Sequence, residues 1–146
     1  MSLSTDLIFV SALRSSSELT GMLPAGDVYN TAIALPDEDA DNAPLPYVIV
    51  SFDGLEPDAT TKDTAFDSVT DIVHVGIAMA AKTRPQLAEL AGLVRRAVRD
   101  YLQGLSRADY DLAPLDVSLS ASAVQYDALK PCYWQMLRYR CDVPND

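Results

Sequence analysis

The residues that decide the fold are 69–104, with the sequence VTDIVHVGIAMAAKTRPQLAELAGLVRRAVRDYLQG. Over Val69–Met79 apolar side chains alternate with polar or small ones, which predicts a β-strand. One face of that strand carries Val73, Val75, Ile77 and Met79. After it, apolar residues recur every three or four positions, which predicts an amphipathic helix that packs on a sheet. The apolar stripe of this helix consists of Leu87, Leu90, Ala91, Val94, Val98 and Leu102.

Signals at both ends bound this helix. Thr83 is the predicted N-cap, Pro85 lies at an early helical position where a missing amide costs little, and Gln86 can complete a capping box. Gly104 is the predicted C-terminal stop, because glycine readily adopts the left-handed conformation in which many helices end.

Further elements are predicted on both sides of the long helix. Residues 5–16 predict an N-terminal helix with Thr5 as a possible N-cap and an apolar stripe of Leu3, Leu7, Val10 and Leu13. The run Leu7–Val10 could also form a strand. Strands are predicted at Val28–Ala34, Tyr47–Phe52, 115–122 and Cys132–Val143.

Together these elements predict a single α+β domain over residues 1–146. Its sheet is expected to be mainly antiparallel, with four to five strands. The long helix and the N-terminal helix are expected to pack side by side on one face of that sheet.

Two acidic segments, 36–46 and 53–67, are predicted to be exposed loops. The first, PDEDADNAPLP, holds three prolines and four acidic residues, and the second holds Gly54 and Pro57 among its acidic residues. Proline supplies no amide donor and charged side chains resist burial, so neither segment suits the interior of a sheet.

The net charge of −10 comes from the first part of the chain. Residues 1–83 contain thirteen acidic side chains against three basic ones, whereas residues 84–146 contain eight of each. An acidic surface repels phosphate, which argues against sequence-specific binding of nucleic acid. The first apolar segment follows Asp6 and not a basic residue, and no apolar stretch is long enough to cross a bilayer. We therefore expect neither a secretory signal nor a membrane segment.

The two cysteines are predicted to be free thiols. Cys132 and Cys141 lie nine residues apart in one predicted strand, which separates them by about 30 Å and places them on opposite faces. A disulfide needs Cα atoms within about 7 Å of each other. Free thiols suit a reducing compartment such as the cytoplasm.

No residue pattern in the sequence points to catalysis, so we expect no enzyme activity, cofactor or metal. His74 is the only histidine and has no nucleophile motif near it, so a hydrogen-bonded sheet histidine is expected. With the two cysteines it provides three scattered candidates for a zinc site, which needs about four ligands. The spacing of Asp37–Asn42 resembles the start of a calcium loop, but Asn42 and Val48 stand where such a loop requires Gly and Glu.

The remaining candidates for function are charged surface residues. Arg95, Arg96 and Arg99 lie within two turns of the long helix. They could cover the sheet edge or pair with Glu89 and Asp100. Alternatively, they form a basic stripe that meets an acidic loop of a neighbouring copy, and such a contact between unlike surfaces closes into a ring when the rotation allows it. The acidic candidates for this interface are Asp37, Glu38, Asp39, Asp41, Glu56 and Asp58.

The order of these pieces resembles the tail-terminator or tail-completion family of long-tailed bacteriophages. The resemblance covers most of the chain and rests on hydrophobic patterns with intervening turns. The segments that carry it are Leu7–Leu13, Leu19–Tyr29, Pro46–Val50, Asp71–Ala78, Leu87–Val98 and Tyr133–Cys141. Asp27 departs from the pattern, since an arginine is common there before the Val-Tyr pair.

The resemblance implies a structural protein of the virion, assembled in the cytoplasm of the host bacterium. It implies a ring, expected to be a hexamer, that ends the tail tube at its head-proximal end and joins the neck. The implied partners are other copies of the chain, the tail tube protein and neck or head-connector proteins. Genomic DNA is expected to pass through the lumen without specific binding.

By position in the chain, the resemblance assigns the loops 36–45 and 53–67 to tube or neck contacts. It assigns the Arg95–Arg99 face to neighbouring subunits. Two alternatives remain open from the residues alone. One is a generic interaction module of a prophage or contractile apparatus, and the other is a small ligand-binding domain.

Overall fold

The computed structural model describes residues 2–24, 26–31, 44–57, 70–108 and 116–144. Three α-helices and six strands lie within these residues, so the predicted α+β class is confirmed. The helices are α1 (Thr5–Arg14), α2 (Ser17–Met22) and α3 (Arg84–Ala108), and a 3-10 turn over Ser2–Ser4 precedes α1. The strands are β1 (Tyr29–Asn30), β2 (Tyr47–Pro57), β3 (Thr70–Ala81), β4 (Asp116–Ala121), β5 (Gln125–Asp127) and β6 (Cys132–Pro144).

The strands form one mixed sheet in the order β1-β2-β3-β6-β4, with β5 pairing to β6 beyond the end of β4. Only the β1–β2 pair is parallel among these strands. The sheet has six strands where four to five were predicted, because β5, which spans three residues, was not among the predicted strands. A strand this short carries too little alternation to be recognised in a sequence.

The core lies between one face of the sheet and the helices α1 and α3. Val73, Val75, Ile77 and Met79 are all buried on that face, as their alternation predicts. Across from them, the stripe of α3 buries Leu87, Leu90, Val94 and Val98 almost completely. The ring of Phe9 from α1 packs 5.0 Å from that of Tyr139 in β6, which ties the N-terminal helix to the same core.

The start of α3 follows the prediction and its end does not. The Thr83 hydroxyl accepts a hydrogen bond from the Gln86 amide at 3.2 Å, and the Gln86 side chain accepts one from the Lys82 amide at 3.1 Å. Gly104 does not stop the helix, which continues to Ala108. A glycine inside an exposed helical turn costs only about 1 kcal/mol relative to alanine, so flanking residues that favour the helix override it.

The N-terminal region contains two helices where one was predicted. The helix predicted over residues 5–16 ends at Arg14, and Ser16 caps α2 by accepting a hydrogen bond from the Leu19 amide at 3.3 Å. The predicted stripe is half wrong. Leu3 and Leu7 are exposed, whereas Val10 and Leu13 are buried together with Phe9 and Ala12. Thr5 is the first residue of α1 and is buried, and Ser4 occupies the cap position.

A buried polar contact holds α1 against β1. The Asp6 carboxylate accepts a hydrogen bond from the Asn30 side-chain amide at 3.1 Å, with both residues almost fully buried. Asp6 also lies in the first turn of α1, where the helix dipole favours a negative charge. Asp6 and Asn30 are therefore polar residues that form part of the buried contact between α1 and β1.

The predicted acidic loop over 53–67 is wrong at its start, because residues 53–57 continue β2. A register shift between Phe52 and Gly54 accommodates an extra residue, and Gly54 adopts a φ of 148°, which favours glycine. The strand therefore bends and continues where a turn was predicted. The rest of that segment, most of 36–46 and the later part of the predicted strand Val28–Ala34 lie outside the described residues.

Candidate interaction surfaces

The three predicted interface arginines are all exposed, but they do not form one row. Arg96 points toward α2, where its guanidinium lies 3.4 Å from the Glu18 carboxylate. Arg95 and Arg99 are one helical turn apart and share another side of α3. Arg99 lies 3.2 Å from Asp100, one of the two partners considered in the sequence.

Arg95 lies close enough to β6 for its charge to affect the pKa of Tyr139 in that strand. Burial raises the pKa of Tyr139 to about 12, and the positive charge of Arg95 opposes part of that rise. The row formed by Arg95 and Arg99 therefore lies toward β6. On β6 itself, Arg138 and Arg140 are exposed on the face of the sheet opposite Tyr139 and α3. Four exposed guanidinium groups thus lie on or beside this strand.

Of the six acidic candidates for the interface, Glu56 is the one that lies within the described residues. Glu56 lies near the end of β2, is exposed, and places its carboxylate 3.7 Å from His74 Nε2 of β3. Asp53, three residues earlier in the same strand, accepts a hydrogen bond from the Ser51 hydroxyl at 2.7 Å. Asp37, Glu38, Asp39, Asp41 and Asp58 lie outside the described residues.

The face of the sheet away from α1 and α3 has an apolar end and a polar end. At the apolar end Tyr47, Ala80 and Trp134 lie opposite one another on β2, β3 and β6. The next row joins Ile49, Ala78 and Met136 in the same way. The polar end carries Ser51, His74, Arg138 and Arg140. This face therefore presents partly buried aromatic and aliphatic groups next to charged ones.

At the polar end, the absence of a side chain at Gly76 leaves room for the Ser51 and Asp53 side chains above it. A Cβ atom at this position would collide with the Asp53 carboxylate and crowd the Ser51 hydroxyl. With any larger residue at position 76, the Ser51 and Asp53 side chains would have to move from the positions in which they form their mutual hydrogen bond.

The edge formed by β4 and β5 carries a row of exposed apolar side chains. Leu119 is 37% exposed, Tyr126 is 56% exposed, and Leu129 in the β5–β6 turn is fully exposed. Tyr126 packs on Tyr133 with ring centroids 5.0 Å apart. The alternation over 115–122 predicts a strand, but it cannot tell an edge strand from an interior one. Pairing is what identifies this edge: within the described residues, β4 has β6 as its only neighbour.

A groove of about 420 Å³ separates the α1–α2 corner from α3. Its lining mixes apolar and polar side chains and includes both members of the Glu18–Arg96 ion pair. Its lining residues include Ala12, Ser16, Leu93, Ala97 and Tyr101. The groove is a candidate for a small-molecule site on the helical side.

The groups that could perform chemistry are dispersed or held neutral. Burial raises the pKa of Cys141 to about 12, with a further contribution from Asp142, and burial also raises the pKa of Cys132. Both thiols are free, as predicted. His74 is exposed on a strand, where its neighbour is a carboxylate and not a nucleophile. Within the described ranges, no three His, Cys, Asp or Glu side chains are grouped so that they could hold a metal ion.

Comparison of the sequence with models of known protein families finds no match, and comparison with curated protein sequences finds none either. In the part of the chain that the structure describes, no helix is both long enough and apolar enough to span a membrane.

Proposed function

We propose that the chain is a structural subunit of a phage tail that assembles with copies of itself into a ring at the head-proximal end of the tail. The proposal takes its function from the resemblance to tail-terminator or tail-completion proteins, which extends over most of the sequence. In this role the ring ends the tail tube and joins the neck or head connector. It works through protein contacts and needs no cofactor.

The observation that carries the proposal is a difference in charge across the order of strands. The side of the sheet at β2 is acidic, and the side at β6 is basic. The acidic side chains Asp53 and Glu56 lie on β2, which has no Lys or Arg. Two strands away, β6 carries Arg138 and Arg140, and α3 adds Arg95 and Arg99 above it. A subunit of this kind can place its basic side against the acidic side of the next copy.

Such a contact is heterologous, because it joins two different surfaces. Repeated contacts of that type build a closed ring when the rotation per subunit divides a full turn, and an open helix otherwise. Opposite charges on the two sides favour this arrangement, because they attract each other at every contact around the ring.

A direct test combines the purified chain with the tail tube protein encoded by the same genome. The expected result is a ring of about six copies by native mass spectrometry, as the family resemblance implies, and capped tubes of limited length by electron microscopy. A chain that stays monomeric with tube protein present, and leaves tube length unchanged, would overturn the proposal.

A small ligand-binding domain is the second candidate, and the groove beside α3 is the observation that favours it. Its volume of about 420 Å³ lies within the range that small-molecule sites occupy. A thermal-shift screen with a metabolite library distinguishes the ligand-binding domain from the ring-forming subunit. A ligand whose stabilising effect is lost in Ala97→Trp, which fills the groove, would support this candidate.

A further inference from the structure

We propose that the outer edge of β4 pairs with β4 of a second copy, antiparallel and centred on Leu119, so that one sheet runs through both molecules. This two-fold contact goes beyond the ring proposed above and does not depend on it. The direction of the backbone hydrogen bonds, the local sequence and the exposed side chains of this edge all favour this pairing.

The hydrogen bonds to β6 show which backbone groups of β4 point outward. The Ser122 amide donates to the Met136 carbonyl at 2.9 Å, and the same register continues to Ser120 opposite Arg138 and Ser118 opposite Arg140. In an antiparallel pair, alternate residues direct both their amide and their carbonyl to the partner strand. The serines therefore bond to β6, and the intervening residues direct their backbone groups away from it.

Those intervening residues are Val117, Leu119 and Ala121. Their outward-facing amide and carbonyl groups are positioned to pair with another strand. Ser118, Leu119, Ser120 and Ala121 are all exposed. Exposed backbone groups on a sheet edge are a template for strand addition. Among the described residues, no strand occupies this position.

The sequence of β4 indicates that the added strand is β4 of a second copy, because it reads almost the same in both directions about Leu119. In Val117-Ser118-Leu119-Ser120-Ala121, a two-fold axis at the centre pairs Leu119 with its own copy and Val117 with Ala121. All three outward-facing residues then meet outward-facing residues of the partner, so every free amide finds a carbonyl. The two serines meet each other, and no like charges are opposed within the five residues.

Side chains add to this backbone match. The Val117, Leu119 and Ala121 side chains share the face of the sheet that carries Tyr139 and Cys141. Pairing would bring two partly exposed leucines together at the axis and continue the apolar surface across it. Cross-strand apolar pairs are the unit that stabilises such sheets.

The opposite edge of the sheet serves as an internal comparison. There, the outer part of β2 has a bulge after Phe52, two carboxylates and a terminal Pro57. Bulges, charges and proline are the features that prevent strand addition at an edge. In β4, only Asp116 at its start belongs to that group. The second copy is therefore expected at β4 and not at β2.

Cysteine cross-linking tests the register directly. Leu119→Cys places two thiols across the axis, with Cα atoms about 5.5 Å apart, within reach of a disulfide. Ala121→Cys is the matched control, because its two copies would lie four register steps apart, about 13 Å. The natural thiols Cys132 and Cys141 are buried, and the parent chain under the same mild oxidant gives the background.

The expected result is a disulfide-linked dimer that forms at least about tenfold faster for Leu119→Cys than for Ala121→Cys. Mixing Val117→Cys with Ala121→Cys should give the mixed dimer. Equal rates for the two single variants would overturn the proposal, even if the chain forms a ring. Fast cross-linking of Leu119→Cys in a chain that never forms a ring would support this contact and count against the ring alone.

Sedimentation of the full chain provides a second measurement without cysteines. Leu119→Lys puts a charge on the pairing edge and should weaken dimerisation at least about tenfold. Leu7→Lys, which changes a leucine of similar exposure on α1, should leave it unchanged. Circular dichroism of both variants checks that the fold is retained. Unaltered dimerisation of Leu119→Lys would contradict the proposed contact.

Discussion

At the scale of single residues, burial in β6 determines the chemistry of two side chains. Cys141 lies in the sheet beside Asp142, and its thiol pKa is raised to about 12 chiefly by burial. Tyr139, on the same face, has its pKa raised to about 12 by burial as well. Both groups are neutral in the folded protein at ordinary pH. They contribute apolar packing, because a thiolate or phenolate there would lose its hydration.

These pKa values predict a loss of stability in alkali. A thiol with a pKa of 9.0 in the unfolded chain and about 12 in the fold stabilises the protein fully below pH 9.0. That contribution is lost as pH rises from 9.0 toward 12, because the unfolded chain releases the proton first. Urea unfolding at several pH values should therefore show a free energy of unfolding that falls above pH 9.0.

Cys141→Ala isolates the contribution of the thiol. The variant should be less stable than the parent at neutral pH, because it removes buried volume. Between about pH 9 and pH 10 its free energy of unfolding should fall less steeply than that of the parent, because Tyr139 contributes the same loss to both proteins. An equally steep fall in both proteins would show that Cys141 does not cause the alkaline loss.

At the scale of elements, the beginning of α3 is set by a few local contacts. The Thr83 hydroxyl accepts the hydrogen bond of the Gln86 amide, which the first turn of the helix cannot satisfy internally, and the Gln86 side chain accepts one from the Lys82 amide just before the helix. This local arrangement explains why the start of α3 is predictable from four residues.

Removing the cap tests how much it stabilises the fold. Thr83→Ala should lower the free energy of unfolding by about 1 kcal/mol, the usual cost of a lost N-cap hydroxyl. Thr83→Ser keeps the acceptor and should recover most of that loss. Chemical denaturation of the two variants beside the parent provides the measurement. A serine variant as unstable as the alanine variant would indicate that the threonine methyl group, and not the hydroxyl, is responsible.

Elements whose signals are local were predictable, and elements that depend on distant partners were not. The alternation of β3 and the stripe and cap of α3 are written in consecutive residues, and both are confirmed. The extension of β2 past Phe52 depends on a bulge at Gly54 and on pairing with β3, which the composition of 53–57 conceals. The exposure of Leu3 and Leu7 depends on which side of α1 meets the core.

The candidate surfaces show the same division. The sequence identified Arg95, Arg96 and Arg99 as exposed residues of one helix. It could not reveal that Arg96 turns to Glu18 of α2, since those residues are 78 positions apart. It predicted a strand at β4 but not its place at the edge, because edge and interior positions are decided by topology.

At the scale of the whole molecule, charge is distributed across the sheet. The acidic residues of β2 and the arginines of β6 and α3 are exposed, so each pair of opposite charges between two copies would be partly hydrated. Such pairs contribute at most about 1 kcal/mol each and are weakened by salt. A ring built on them gains stability from the number of contacts that closure provides.

The contact between the basic side of one copy and the acidic side of the next should be sensitive to charge reversal. Reversing two charges with Arg95→Glu and Arg99→Glu should weaken self-association about tenfold per contact, because attraction to the acidic side becomes repulsion. Arg84→Glu is the matched control, since it changes an exposed arginine in the first turn of α3, about 16 Å along the helix from Arg95, where the helix dipole tolerates a carboxylate. Light scattering across a range of salt concentrations should show the parent ring dissociating as salt rises. The double variant should form no ring at any salt concentration. Self-association that is indifferent to salt and to both reversals would mean that the subunits meet through apolar surfaces instead.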